Sequence, residues 1–305
     1  MKTIKIKAPA TVANLVCGFD IIGMALEHPQ DEMELTLLNK PQLIIKHKDK
    51  YGLPTVPEKN VAGVALLALM KAYEKPIGFK VVINKIIKPG SGLGSSAASA
   101  AGAVVAANKL LKNYFTKAEL VQFAMCGEEL ASGAKHADNI APCIYGGVCL
   151  IRSHSPLDII PLKSPKLFIT VVHPQIEVKT SVARAILPKE ISLKKAVKHW
   201  GNVAALVAGI LQNDHEIIAR SLRDEIIEPI RSKLIPGFDI VKKRSLTVGA
   251  LGGGISGSGP SIFMFSTTKK NAEKVEKEMI EIYQELKIEA KTYVSKISKQ
   301  GVSVV

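Results

Sequence analysis

Pro89-Gly-Ser-Gly-Leu-Gly-Ser-Ser-Ala-Ala-Ser99 lies between a strand-like run, Phe79-Lys-Val-Val-Ile-Asn-Lys-Ile-Ile87, and the stretch Ala97-Ala-Ser-Ala-Ala-Gly-Ala-Val-Val-Ala-Ala-Asn-Lys-Leu-Leu111. The latter has small residues, strong helix formers and no proline, so it reads as a packed helix. The order is strand, glycine-rich turn, helix. Three glycines at alternate positions let backbone amides approach an anion, and the helix start adds unpaired N–H groups and a positive dipole end. Ser95 and Ser96 add hydroxyls at the same mouth. The stretch reads as a phosphate cradle, of neither common kind. A Walker loop carries Lys after its last glycine, where this chain has Ser95. A dinucleotide fingerprint wants an acidic residue about 20 positions on at a strand end, and Glu119 falls instead in a helical pattern, Lys117 to Ala131.

Upstream, Lys2 to Lys7 alternates as a strand that Pro9 is expected to end. Asn14 and Asp20 are polar residues in the apolar stretch Ala8 to Asp20, and each is either a turn-former or a ligand contact. Glu32–Leu38 and Gln42–His47 read as strands around the turn Asn39–Pro41, and Asn60 caps a helix from Val61 to Tyr73. Downstream, Thr116 and Glu119 form a capping box for the helix that ends with Glu128 and Glu129. Two carboxylates at a helix C-terminus are electrostatically awkward, a conflict that a metal ion would relieve or that solvation of one must. Gly133-Ala-Lys-His-Ala-Asp-Asn-Ile-Ala-Pro142 places His136, Asp138 and Asn139 among small residues, a poor core segment and a better site. Val148–Arg152 reads as a strand. Ser153–Pro165, with three prolines, is the expected boundary, dividing the chain into 1–155 and 156–305. The second half alternates strand Lys166–His173, helices over 178–187, 193–212, 215–223, 225–234 and 237–244, and a second glycine-rich loop, Gly249–Pro260. Strand Ser261–Phe265, an amphipathic helix Lys269–Leu286 and strand Ala290–Ile297 complete an α+β chain.

Bulk properties narrow the function. The 305 residues suffice for one large or two ordinary domains, with 47% hydrophobic residues. No apolar run approaches the ~18 residues of a membrane span. The N-terminus lacks a signal peptide's apolar region, so a soluble, cytoplasmic protein without membrane contact is expected. A net charge of +14 suits polyanions, but the lysines are scattered and aromatics are only 5%, too few for a base-stacking platform, so no nucleic-acid partner is expected. Cys17, Cys126, Cys143 and Cys149 show no CxxC pair and read as reduced thiols among apolar neighbours.

Together these stretches resemble the GHMP kinases, and within that superfamily the homoserine-phosphorylating branch. Ala8–Asp20, Pro89–Ser99, Gly133–Pro142, Glu228–Phe238 and Gly252–Ser261 carry the likeness over nearly the whole chain. One departure is Val16-Cys17, where the family usually has Gly-Pro. The resemblance implies an α+β GHMP kinase fold: an N-terminal domain like ribosomal protein S5 domain 2 and a ferredoxin-like C-terminal domain, with the site between. It implies transfer of the ATP γ-phosphoryl group to the hydroxyl of L-homoserine, a step of threonine biosynthesis, with Mg²⁺ as cofactor and a homodimer as the common assembly. By resemblance the nucleotide is held by Asn60 on the adenine side and by Pro89, Gly90, Ser91, Gly92, Leu93, Gly94, Ser95, Ser96, Ala97, Ala98 and Ser99. Ser96 and Glu128 match the magnesium positions, leaving Glu129 outward. Arg184 and Arg231 take the substrate carboxylate, Asp20 with Asn14 its ammonium, while His136, Asp138 and Gly257 line the substrate side. Asp138 and Asn139 are the catalytic candidates, and the proton acceptor is left open. Other small-molecule GHMP kinases, of shikimate or mevalonate type, are the nearest alternative, and a non-catalytic relative a more distant one.

Overall fold

The computed structural model describes residues 2–305 and folds the chain as two antiparallel-rich sheets with helices packed against them. The first sheet holds β1 (Thr3–Ala13), β2 (Ile22–Leu38), β3 (Leu43–His47), β4 (Gly78–Asn84), β5 (Val148–His154) and β6 (Leu157–Leu162). Helices α1 (Val61–Ala72), α2 (Ser95–Leu110), α3 (Lys117–Ser132) and α4 (Ile140–Tyr145) pack on one another and on β1 and β2. Asn60 caps α1 by accepting from the Gly63 amide, and Thr116 and Glu119 form the expected capping box at α3.

The second sheet is β7 (Phe168–Pro174), β8 (Gly252–Ile255), β9 (Ile262–Ser266) and β10 (Ala290–Lys296), in the order β10-β7-β9-β8. That order is the ferredoxin-like arrangement, with α5 (Thr180–Ala185), α6 (Leu193–Gln212), α7 (His215–Ser221), α8 (Glu228–Arg231) and α9 (Phe238–Thr247) between β7 and β8. Helix α10 (Lys269–Glu285) crosses between β9 and β10, and α9 and α10 cover this sheet with a core of its own. A last short strand, β11 (Ser303–Val304), returns to pair with β1 through Ile6 and Lys7.

Several sequence expectations are revised. Pro9 does not end β1: the strand runs on to Ala13 through a register shift between Pro9 and Thr11, a bulge that absorbs the missing N–H. Strand β2 begins ten residues before Glu32, and β3 pairs in parallel with β4 rather than with β2. The glycine-rich segment 249–260 contains β8, since a Cβ at Gly253 would lie 2.0 Å from the Phe263 carbonyl oxygen and only glycine lets β9 approach. The expected helix 225–234 is the single turn α8 followed by a 3₁₀ turn. The division at 155/156 falls at the tip of the β5–β6 hairpin, and both of these strands belong to the first sheet. Pro161 is tolerated because β6 pairs only with β5 and is an edge. The larger hydrophobic core is continuous across both halves, joining Ile6, Leu35 and Phe79 to Ile169, Leu206 and Phe263.

Candidate active site

Between the sheets lies a cavity of about 490 Å³, lined by the glycine-rich loop, α3, the 14–20 turn, the 177–184 segment, Arg231 and Gly257. Gly90, Gly92 and Gly94 all have positive φ (74°, 79° and 65°). A Cβ at Gly92 would meet the carbonyl oxygens of Gly259 and Ser256 at 2.6 and 2.7 Å, whereas one at Gly90 meets nothing within 4 Å. The loop is thus held against the second glycine loop on one side and open on the other. The Ser256 hydroxyl donates to the Gly92 carbonyl at 2.7 Å, and the Ser261 amide to that of Ser91 at 3.2 Å. Helix α2 starts after Gly94 with no side-chain cap, so its first-turn amides are available to an anion.

Not every expected loop residue faces the cavity. The Ser95 hydroxyl turns inward and donates to the Ile87 carbonyl at 2.8 Å, which corrects its expected place at the mouth. Leu93, Ala97 and Ala98 bury their side chains in the core. Pro89, Gly90, Ser91, Gly92, Gly94, Ser95, Ser96 and Ser99 do line the cavity, as does Asn60. Much of the Asn60 amide is already used, for it caps α1 and donates to the Pro54 carbonyl at 2.6 Å.

Ser96 donates to Glu128 at 2.7 Å, bringing together two residues from successive helices. Burial pushes the Glu128 carboxyl up to about 7, because it has no cation partner to offset desolvation. Glu129 is exposed, as expected of the outward member of the pair. Among the described residues no cluster of three or more His, Cys, Asp or Glu could hold a metal. A hydroxyl and one carboxylate still fit magnesium, which takes hard oxygen ligands, keeps several waters and draws its remaining contacts from substrate phosphates.

Another side of the cavity is built on a turn in which Asn14, Leu15, Val16 and Asp20 all have positive φ, a concentration of strain typical of functional turns. Asn14 pins it: its Oδ1 accepts from the Asp20 amide at 3.0 Å and its Nδ2 donates to the Gly257 carbonyl at 2.9 Å. Cys17, in the turn, is buried, and burial pushes its thiol up to about 12; Cys143 and Cys149 are likewise buried and free, while Cys126 is half-exposed. Asp20 and Arg184, expected to hold opposite ends of a substrate, hold each other: both guanidinium Nη atoms donate to the carboxylate at 3.0–3.1 Å. His136 Nδ1 lies 3.8 Å from the same carboxylate. Arg231 is 3% exposed, donates to the carbonyls of Ala183 and Gly257, and stacks over the Phe19 ring at 4.9 Å. Burial, with the Arg184 charge, lowers it to about 10, so it stays cationic at neutral pH.

Asp138 is buried beneath this turn, its Oδ1 accepting from the Asn139 amide at 3.1 Å. Burial foremost, then the Asp20 and Glu128 charges, pushes its carboxyl up to about 7. Asn139 accepts from the Thr11 hydroxyl at 2.7 Å, tying β1 to the start of α4. Sequence reasoning missed Lys85 and Asp31. The Lys85 ammonium, fully buried on the cavity wall, pairs with Asp31 and donates to the Ser95 carbonyl (2.7 Å) and the Ser99 hydroxyl (3.0 Å). Asp31 accepts in turn from the Ile86 and Ile87 amides. The one available signal was a lysine inside an apolar run just before the glycine loop.

A glycine-rich loop, a hydroxyl–carboxylate pair and a set of paired charges thus face one cavity. Residues 60–147 match the family model for the GHMP kinases N terminal domain, and residues 206–285 that for the GHMP kinases C terminal. The chain belongs to the GHMP kinases. It is 46% identical to a homoserine kinase of Chloroherpeton thalassium, over 99% of each chain. The crystal structure of a homoserine kinase from Cytophaga hutchinsonii superposes with a TM-score of 0.95 at 47% identity, covering 100% of this chain and 98% of that one. An L. major mevalonate kinase solved with R-mevalonate shares the fold at a TM-score of 0.72 but only 17% identity, over 96% of each chain. Within the GHMP kinases, the chain's place is with the homoserine kinases.

Proposed function

We propose that this chain transfers the γ-phosphoryl group of ATP to the side-chain hydroxyl of L-homoserine. The observation that carries the reading is the convergence on one cavity of the open glycine loop and the Asp20–Arg184–Arg231 charge set. Phosphoryl transfer demands positioning and charge neutralisation more than covalent work by the protein. The amides of the loop and of the first turn of α2 hold the polyphosphate, with Asn60 on the base side. Ser96 and Glu128 would hold a magnesium ion, which when bound neutralises phosphate charge.

Homoserine is a zwitterion, and the Asp20–Arg184 pair offers one partner for each of its charges. Substrate entry exchanges an internal ion pair for two intermolecular ones, so no charge is stranded at either stage. Arg231 gives the carboxylate a second cation. Asp138 acts chiefly to orient the acceptor: it is buried, and its carboxyl near neutrality is suited to hydrogen bonding in either protonation state. The acceptor proton then passes to the transferred phosphoryl group.

A phosphotransfer screen over homoserine, shikimate and mevalonate, with and without Mg²⁺, tests the reading. Turnover with homoserine alone, lost on omitting the ion, is the expected result; preference for another alcohol overturns it. Glu128→Gln should cut Mg²⁺-dependent turnover by at least ~10²-fold, on the scale of one lost electrostatic stabiliser.

A further inference from the structure

A second cavity, of about 330 Å³, shares no lining residue with the first and stands at the other ends of the same helices. Helix α2 leaves the glycine loop and reaches it with Val105 and Lys109. Helix α3 starts there with Lys117 and Leu120, and its last turns carry Glu128 and Ser132 to the first cavity. Helix α4 follows Asp138 and Asn139 and ends there with Ile144 and Tyr145. The walls are fixed before any ligand arrives. Buried Asn108 clasps Phe115 with both amide atoms: Nδ2 donates to its carbonyl at 2.9 Å and Oδ1 accepts from its amide at 2.8 Å. The segment carrying Lys299 is pressed on α4. A Cβ at Gly301 would lie 2.4 Å from the Ile144 carbonyl oxygen, and one at Gly146 2.5 Å from that of Lys299.

Buried Val105, Leu120 and Ile144 give this cavity an apolar floor. Around the floor stand Lys109, Lys117 and Lys299, and the lining holds neither a carboxylate nor an arginine. Lys109 complements the negative end of α2 and needs no ligand to explain it. Lys117 is different. It occupies the first position of α3, where the helix dipole disfavours a cation, and its ammonium sits over the Tyr145 ring at 5.1 Å. The nearby Glu119 carboxylate is engaged in the capping box with Thr116. Like charges around a low-dielectric cleft focus a positive potential into it.

We propose that this cavity is a second anion site, and that it takes a phosphomonoester with a small apolar body. Lysines are point charges that suit a phosphate, whereas planar carboxylates are best held by the fork of an arginine, which the lining lacks. A phosphomonoester carries close to two negative charges at neutral pH, enough to offset most of the three lysines. The apolar floor takes the body of the ligand, and the volume lies at the small end of ligand pockets, ~300–1,000 Å³.

Binding here involves no residue of the catalytic cavity, so it stands or falls apart from the homoserine reading. The probe is phenyl phosphate, titrated by calorimetry into the full chain already loaded with a non-hydrolysable ATP analogue and Mg²⁺, which occupy the glycine loop. One site is expected, weakened by added salt. The double variant Lys109→Gln, Lys299→Gln should bind at least ~10-fold more weakly, and so should benzoate, the same ring with a single charge, to the parent. No binding to the loaded chain, undiminished binding by the double variant, or benzoate as tight as phenyl phosphate overturns the proposal. Should the double variant fail to fold, Lys117→Gln decides in the same way.

Discussion

Arg231 is nearly inaccessible, yet its planar group is committed to two carbonyls and an aromatic face, which fixes its direction before any substrate arrives. Replacing it with leucine should raise the homoserine KM about 10–100-fold, the worth of a charge-assisted hydrogen bond, and leave the ATP KM within about twofold. Equal losses for both ligands would show that it does not serve the acceptor. Asp138 tests differently, through pH. Its folded pKa, about 7, lies above the unfolded value near ~4. Its contribution to stability is therefore full below about pH 4 and is lost as pH rises through 7, on the order of 2–4 kcal/mol. Asp138→Asn cannot ionise, so the ligand-free variant should show a flatter Tm between pH 5 and 8 than its parent. Identical slopes would place the titration in another group. The same variant addresses chemistry: an orienting residue predicts loss of less than ~10⁴-fold in kcat, and a larger fall at unchanged homoserine affinity would make it the base.

Among the elements, the glycine loop carries the sharpest contrast. Gly90→Ala and Gly92→Ala both place alanine at positive φ, at ~1–2 kcal/mol of strain. Only Gly92→Ala drives a Cβ into the second glycine loop. It should therefore lose ATP affinity and more Tm than Gly90→Ala, which loses only the backbone strain; calorimetry with nucleotide titration separates the two. The sequence makes this element readable because its chemistry is local: alternate glycines, a helix start and Ser96 lie within a few residues. The caps at Asn60 and Thr116 are legible for the same reason. What stayed hidden depends on partners far along the chain. Lys85 looks like one position in an alternating strand until Asp31, 54 residues earlier, meets it beneath α2. Strand β8 is masked by its own glycines, which serve a close approach to β9 that no local propensity encodes. The Asp20–Arg184 contact joins residues 164 apart, so resemblance could supply both residues but not their pairing.

At the scale of the whole molecule, the two sheets are not loosely tethered lobes. One hydrophobic core runs through both, and Leu26 and Ile297 form a bridge between β2 and the end of the chain. The 147–146 turn is held by the same terminal segment, since the Gly147 amide donates to the Ser298 carbonyl at 2.6 Å. Deleting residues 300–305 removes β11 and the Val302 amide that donates to the Cys143 carbonyl at 2.8 Å, at the end of the α4 turn. Such a truncation should lower Tm by about 4 °C or more, given ~2–4 °C per kcal/mol for a chain of this size, and an unchanged melting curve would mean that the tail adds nothing. The position of β11 also bears on how the chain is made. Its partner β1 is made long before it, since Ile6 pairs with Val304. Native pairing of that edge must wait until Ser303 and Val304 have been synthesised, and until then a nascent chain presents an open strand beside Ile6 and Lys7. Lys5 and Lys7, at alternate positions of β1, give that waiting edge a charge that discourages pairing with another nascent chain.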